Sequence, residues 1–325
     1  MNYAKITGVG CFAPEKVYDN EYMESIVETN DEWIMQRTGI KRRHIAEDDV
    51  FTSDIATKAA ENAIKDAGIT VDKIDLIILA TVTPDYFTPS CSCLVQKNLG
   101  AKNAAAFDVN AACSGFVTGL TIAKQFVENG KYENVLVIGA DALSKATDYK
   151  DRGTCILFGD AAGAVVVSKS DKNGIISEEI GAKGEDGDKL TLLAFRHDQE
   201  EVEKRVSHNP HTIWMAGAEV MKFAVKAMEN AARNVCEKAG LDIKDIDLII
   251  PHQANKRIID GAIKRLGIDP DKVYVNLQEY GNTSSASIPV ALAEAVAEGR
   301  AKKGDKIILV GFGGGLTWGA TLIEL

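Results

Sequence analysis

Short continuous apolar runs alternate along the chain with longer stretches whose apolar positions recur every three or four residues. Residues 53–68, SDIATKAAENAIKDAG, have helical composition and end at a glycine stop signal. Residues 75–82, DLIILATV, form an unbroken apolar run of buried-strand length. A short strand over 104–110, a helix from about 114 to 129 and a strand over 134–140 follow, the helix having Phe116, Leu120, Ala123 and Val127 at helical spacing. The same order then returns: helix 218–239, strand 246–251, helix 254–266, strand 273–277, helix 284–298 and strand 306–311. A tight glycine turn and a closing strand over 316–324 complete the pattern. Pro289 must fall in the first turns of its helix or kink it. Residues 11–52 and 183–213 are polar, charged and aperiodic, and are expected to be loops capping the sheets.

The recurrence is also visible residue by residue. AGITVDKIDLII (67–78) aligns with AGLDIKDIDLII (239–250) at an offset of 172, with seven of twelve positions identical. The same offset sets VLVIG (135–139) on IILVG (307–311), Asn110 on Asn282, Cys113 on Ser285 and Gly139 on Gly311. A repeat of this length marks two copies of one unit. Apolar strands between amphipathic helices belong to layered α/β folds. The expected fold class is therefore α/β, a five-layered α-β-α-β-α duplicated fold with two homologous halves. Residues 1–172 would form the first half, with Cys113 and the cap 11–52; residues 173–325 the second, with the loop 183–213, His252 and Asn282. No low-complexity linker separates them, so they should pack as one body.

Composition narrows the possibilities. The 325 residues include 37 Lys+Arg against 47 Asp+Glu, a formal net charge of −10, which leaves no electrostatic footprint for nucleic acid or an anionic membrane. A polyanionic partner must use a local basic patch. The N-terminus lacks the basic and apolar regions of a signal peptide, and no apolar run approaches about 18 residues. A cytoplasmic protein is expected. Six cysteines, at 11, 91, 93, 113, 155 and 236, form no CxxC pair, so free thiols are expected rather than disulfides or a zinc site.

Three residues stand at strand-to-helix junctions, where open α/β sheets bind ligands. Cys113, in VNAACSGFVTG, follows a strand and opens a helix, where unpaired N–H groups and the macrodipole favour a thiolate. Alone, such a cysteine is more often a small buried hydrophobe; Cys11, Cys91, Cys93, Cys155 and Cys236 have that ordinary context. His252, in LIIPHQAN, sits at another strand end, and Asn282, in EYGNTSSAS, at a third. Singly they read as a loop histidine and a turn residue. Their convergence on one sheet edge is what points to chemistry. Gly313, Gly314 and Gly315 would bring a backbone N–H close to a ligand, beside that of Cys113 as an oxyanion hole. GVGCFA (8–13) is rejected as a dinucleotide fingerprint because Pro14 follows, and the histidines at 44, 197, 208 and 211 lack metal-ligand spacing.

With DEWIMQRTGIKRRHIA (31–46), AACSGF (111–116), RGTCILFGDAAGA (152–164), PHQAN (251–255), GNTSSAS (281–287) and GFGGGLTWG (311–319), the chain resembles β-ketoacyl-acyl carrier protein synthase III of the thiolase superfamily. The motifs span the chain in family order. The resemblance implies that Cys113 takes an acyl group from acyl-CoA, and that His252 and Asn282 hydrogen-bond the malonyl thioester of malonyl-acyl carrier protein as CO2 leaves. The backbone N–H groups of Cys113 and Gly314 would hold the tetrahedral oxyanion. It further implies that Trp33 and Arg152 sandwich the CoA adenine, with Arg37 near the phosphates, Gly217 and Asn255 along the pantetheine channel, and Phe87 closing the acyl pocket across a homodimer interface. Core packing is the alternative for Trp33 and Phe87. Carrier-protein docking would fall to Lys222, Gln253, Ala254, Asn255, Lys256, Arg257 and Lys264, with Arg265 alongside, against the alternative of a solvated helix face. No metal or cofactor is implied, the CoA thioester and the malonyl-carrier protein being substrates.

Asn282 separates this reading from relatives that use a second Cys, a second His or a Glu. It leaves plant-type polyketide synthases beside it, against which the motif around Trp33 and the 325-residue length favour synthase III. A starter enzyme of secondary metabolism is the alternative within the subfamily. From other classes, a Cys-His-Asn thiol hydrolase has the same residues in the same order but needs a cleft rather than a duplicated sheet, and a noncatalytic acyl-binding scaffold would not need Cys113. The starter acyl chain is not legible, since one methylene is worth only about 1–3 kcal/mol.

Overall fold

The computed structural model describes residues 2–325. Two sheets carry the molecule. The first contains β1 (Tyr3–Phe12), β2 (Leu76–Ala80), β3 (Ala105–Val109), β4 (Asn134–Ala142) and β5 (Asp160–Ser170), in the order β1-β5-β4-β2-β3. The second contains β6 (Ile175–Ala182), β7 (Leu248–Pro251), β8 (Lys306–Gly313) and β9 (Thr317–Glu324), in the order β7-β8-β9-β6. Strands β2 and β4 are parallel with Leu76 opposite Val135, and β7 and β8 are parallel with Leu248 opposite Ile307. Both partners have moved by the same 172 residues.

Six helices make the other layers. On the outer face of the first sheet lie α1 (Thr52–Asp66) and α2 (Cys91–Leu99), packed on the apolar residues of β2, β4 and β5. Between the sheets lie α3 (Gly115–Glu128) and α6 (Ser287–Ala297), whose core runs continuously from Leu76, Val135 and Val165 to Leu248, Ile307 and Leu309. Outside the second sheet lie α4 (Gly217–Ala239) and α5 (Lys256–Leu266). This is the five-layered duplicated fold. Every residue of β2 is buried, as a strand covered on both faces requires. Helix α6 is buried at Ser287 through Ala293 and at Ala295, nearly all round, as a helix enclosed by two sheets must be. Pro289 is its third residue, within the first turn, where a missing N–H costs no intrahelical bond.

Three expectations are corrected. Residues 273–277 are not a strand: only a single bridge joins Val273 to Ile249, and Leu277–Tyr280 is a helical turn. The buried Gln253 side chain accepts from Asn276 N at 3.1 Å, so an amide ends the ladder after Tyr274. Residues 11–52 are not merely loop. They hold the last part of β1, a ribbon of Val17–Asp19 against Arg42–His44, helices Asn20–Ile26 and Asp31–Thr38, and the start of α1. Within 183–213, Leu190–Thr191 pairs with Trp214–Met215, and Gln199–Glu203 forms a short helix. Arg205, 2% exposed, ties this cap together by donating from Nε to Thr212 O at 3.0 Å and from Nη2 to Thr191 Oγ1 at 2.9 Å. No described helix is long and apolar enough to cross a membrane.

Candidate active site

Strand β3 ends at Val109, and the chain turns through Asn110 into a 3-10 turn, Ala112–Ser114, before α3 begins at Gly115. Ala112 has φ 46°, a left-handed conformation that is strained for a residue with a Cβ and marks a tight reversal. Cys113 thus stands just ahead of the helix, as expected. Its thiol is nevertheless pushed up to about 12, chiefly by burial, opposed by the Ser284 hydroxyl and assisted by the Asp141 charge. Burial thus opposes the thiolate that the helix terminus favours. Of the other cysteines, Cys91, Cys155 and Cys236 are buried and Cys93 is exposed.

His252 follows β7 directly, its N–H bound to Val310 O at 2.8 Å. The ring is 1% exposed, lies edge-on to Phe312 at 5.2 Å, and has Nδ1 2.6 Å from Ser287 Oγ. Burial pushes its pKa down to about 3, so it is a neutral imidazole with Nε2 as its working atom. Asn282 is pinned by backbone bonds, donating to Leu157 O at 2.8 Å and accepting from Gly159 N at 3.1 Å. Its Oδ1 accepts from Ser284 N at 2.9 Å, which leaves the amide nitrogen as the donor end.

Cys113, His252 and Asn282 line one cavity of about 1370 Å³, together with Gly313, Gly314 and Gly315. A Cβ on Gly313 would lie 2.5 Å from Cys113 N, so only glycine lets the strand end pass this close. Gly217, Asn255, Arg37 and Trp33 line the same cavity toward its mouth. Asn255 caps α5, accepting from Arg257 N at 2.9 Å and donating to Arg37 O at 3.0 Å. Trp33 carries two cations, Arg152 at 4.9 Å and Arg37 at 5.3 Å from its ring. An adenine between Trp33 and Arg152 therefore requires the guanidinium to leave the indole. Phe87 is 71% exposed and lies tilted against Phe195 with ring centroids 4.7 Å apart, which excludes core packing for it.

The basic residues divide. Lys222, Lys256, Arg257, Lys264 and Arg265 are all exposed, but Lys256 pairs with Asp260 at 2.8 Å and Arg265 with Glu229 at 2.5 Å. Gln253 and Ala254, expected on the docking surface, are 1% and 8% exposed. Gln253 Nε2 donates to Pro251 O at 2.7 Å, and Ala254 lines the cavity, so neither side chain lies on the outer surface beside the exposed cations.

Sequence reasoning passed over Ser284, Ser287 and Asp141. Asp141 is 0% exposed, and burial pushes its carboxyl up against hydrogen bonds from Ser285, Val82 and Thr81 that pull it down. The 172-residue repeat held the signal, since it sets Asp141 on Gly313.

Residues 107–184 match the family model for 3-oxoacyl-(acyl-carrier-protein (ACP)) synthase III, and 236–325 match the model for its C-terminal region. The chain is 54% identical to a β-ketoacyl-(acyl-carrier-protein) synthase III of Clostridioides difficile over 99% of this chain and 98% of that one. The structure of a 3-oxoacyl-(acyl-carrier-protein) synthase III from Aquifex aeolicus superposes with a TM-score of 0.92 at 47% identity, covering 99% of this chain and 100% of that one. A priming β-ketosynthase of a polyketide pathway gives a TM-score of 0.93 at 35% identity, covering 99% and 96%.

Proposed function

The chain belongs to the β-ketoacyl-acyl carrier protein synthase III family, and from that premise we propose that Cys113, His252 and Asn282 carry its reaction. It is an acyltransferase of the condensing-enzyme class that acts with CoA thioesters and acyl carrier protein and initiates fatty acid biosynthesis. The observation supporting the residue roles is the convergence of two strand ends, at Cys113 and His252, and of the turn after Leu277–Tyr280 that carries Asn282, from both halves, on one cavity beside Gly313–Gly315.

In the first half-reaction Cys113 Sγ attacks the starter thioester carbonyl. Because the thiol holds its proton, neutral His252 accepts it at Nε2 and returns it to the departing CoA sulfur. The acyl group is then on Cys113. Between the half-reactions the neutral ring passes from its Nδ1–H to its Nε2–H tautomer, Nδ1 giving up its proton and accepting instead from Ser287 Oγ–H while Nε2 takes one from the solvent that replaces CoA. In the second, Nε2–H and the Asn282 amide donate to the malonyl thioester oxygen. The C–C bond to the carboxylate breaks, CO2 leaves, and the electron pair is held as an enolate. That carbon attacks the acyl carbonyl, the N–H groups of Cys113 and Gly314 hold the oxyanion, and collapse expels the cysteine sulfur as thiolate, which takes up one proton from solvent to return to the thiol. Loss of one such donor costs about 3–4 kcal/mol.

The finer assignments extend this reading. The starter is acetyl or another short acyl chain, walled by Leu143, Ile156 and Phe312. Trp33, Arg152 and Arg37 hold the CoA nucleotide, with Gly217 and Asn255 along the arm. Lys222, Arg257 and Lys264 meet the acidic carrier protein. The enzyme is a cytoplasmic homodimer, which its six free thiols, the open edge of β3 and the exposed Phe87 favour.

The test separates the half-reactions. His252→Ala and Asn282→Ala should slow malonyl decarboxylation at least about a hundredfold. Asn282→Ala should still be acylated at Cys113 by acyl-CoA, read by intact-protein mass. Wild-type condensation in either variant, or failure of Cys113 to accept any acyl group, would overturn the assignment.

A further inference from the structure

The two turns that meet at the site are copies of one another. Ala112–Ser114 and Ser284–Ala286 are 3-10 turns 172 residues apart, packed together, and each opens on a left-handed residue, Ala112 at φ 46° and Ser284 at φ 49°. Each is covered by the inner strand of its own copy's opposite number. On β4, a Cβ at Gly139 would lie 2.2 Å from Ser285 O; on β8, a Cβ at Gly311 would lie 3.4 Å from Cys113 O. Two residues further along, the copies part company. Strand β8 has Gly313, which leaves the N–H of Cys113 facing the cavity. Strand β4 has Asp141, and its Oδ2 accepts from Ser285 N at 3.1 Å.

We propose that Asp141 is a positioning residue whose carboxylate fills, at Ser285, the seat that the reaction's oxyanion takes at Cys113, and so fixes the 282–287 turn for decarboxylation. Ser285 lies between the two supports of the proposed donors. Ser284 N–H orients the Asn282 amide, and Ser287 Oγ holds His252 Nδ1. The Ser285 hydroxyl is 2.7 Å from both Asp141 Oδ2 and Ala80 O, with one proton between them. Oδ1 is anchored in the first half, accepting from Thr81 Oγ1 at 2.9 Å, Val82 N at 2.8 Å and Thr83 Oγ1 at 3.0 Å. One buried carboxylate thus ties the strand ends of the nucleophile's half to the turn that orients both groups of the other half. An unpaired N–H at Ser285 would be costly where no water reaches it.

This inference rests on the roles proposed for His252 and Asn282. Asp141→Asn is the informative variant: its amide oxygen can keep the Thr81, Val82 and Thr83 donors, while its NH2 group confronts Ser285 N–H. With acetyl-CoA and malonyl-acyl carrier protein, the variant should acylate Cys113 within about threefold of the wild-type rate and decarboxylate malonyl thioester at least about tenfold more slowly, a loss expected in kcat rather than KM. Ser285→Ala, which keeps the backbone N–H, should lose less than Asp141→Asn. Equal slowing of both half-reactions, with or without a lowered melting temperature, would reduce Asp141 to a structural role and overturn the proposal. So would wild-type decarboxylation by Asp141→Asn in an assay where Asn282→Ala is impaired. Wild-type decarboxylation by Asn282→Ala itself would instead sink the reading of the site on which the proposal stands.

Discussion

At Cys113 the physical problem is the proton. Burial pushes the Cys113 thiol up and the His252 imidazole down, and so works against a ready-made ion pair at neutral pH. Alkylation of Cys113 by iodoacetamide should therefore rise about tenfold per pH unit through pH 9 without a plateau, taken as the difference between wild type and Cys113→Ser. A plateau near neutrality would show a preformed thiolate. Burial of neutral His252 also has a stability signature. Its folded pKa lies below the unfolded value of about 6.5, so as pH falls below 6.5 only the unfolded chain takes up the proton, and stability is lost. Between pH 6.5 and about pH 5 this amounts to about 2 kcal/mol, and urea denaturation of His252→Gln should show that much less acid dependence. Cys113 and His252 were legible as candidates because they follow strands, and Asn282 because the repeat sets it on Asn110, although a helical turn rather than a strand precedes it. Asp141 and Ser287 were not, because they act on other residues, and a buried polar side chain at a strand end or in an apolar helix carries no motif of its own.

Among elements, the long apolar runs read correctly: β2, β4, β8 and five of the six major helices lie within a few residues of their predicted spans, while α2 had no predicted counterpart. Strands β1, β5 and β6 escaped notice because glycine, alanine and charged residues interrupt their apolar pattern, and pairing with β4 and β9 supplies the order instead. Residues 273–277 failed in the opposite sense, apolar alternation being overridden by the Gln253 amide. Helix α5 shows why a run of charge is a poor guide until pairing is known. With Lys256 and Arg265 neutralised by Asp260 and Glu229, Arg257 and Lys264 are the cations of that helix left to steer an acidic partner. Arg257→Glu should weaken carrier-protein binding roughly five- to tenfold and flatten its salt dependence, measured by fluorescence anisotropy at low and high ionic strength. Lys256→Gln should do much less.

For the whole molecule, the shared middle layer decides how the halves behave. Leu292 of α6 is fully buried in a core that reaches both sheets. Leu292→Ala should cost about 2–5 kcal/mol, and far-ultraviolet and tryptophan signals should still melt together, since each sheet without the other would expose the apolar inner face that the shared core covers. Two separated transitions would show independent halves. The same layer bears on how the chain is made. The first half leaves the ribosome before α6 exists, with the inward face of α3 uncovered and waiting for a partner built on its own pattern. On a polysome the nearest such partner can belong to a neighbouring nascent chain, so the duplication that assembles one active site from two copies also makes exchange of halves between chains the characteristic error of its synthesis.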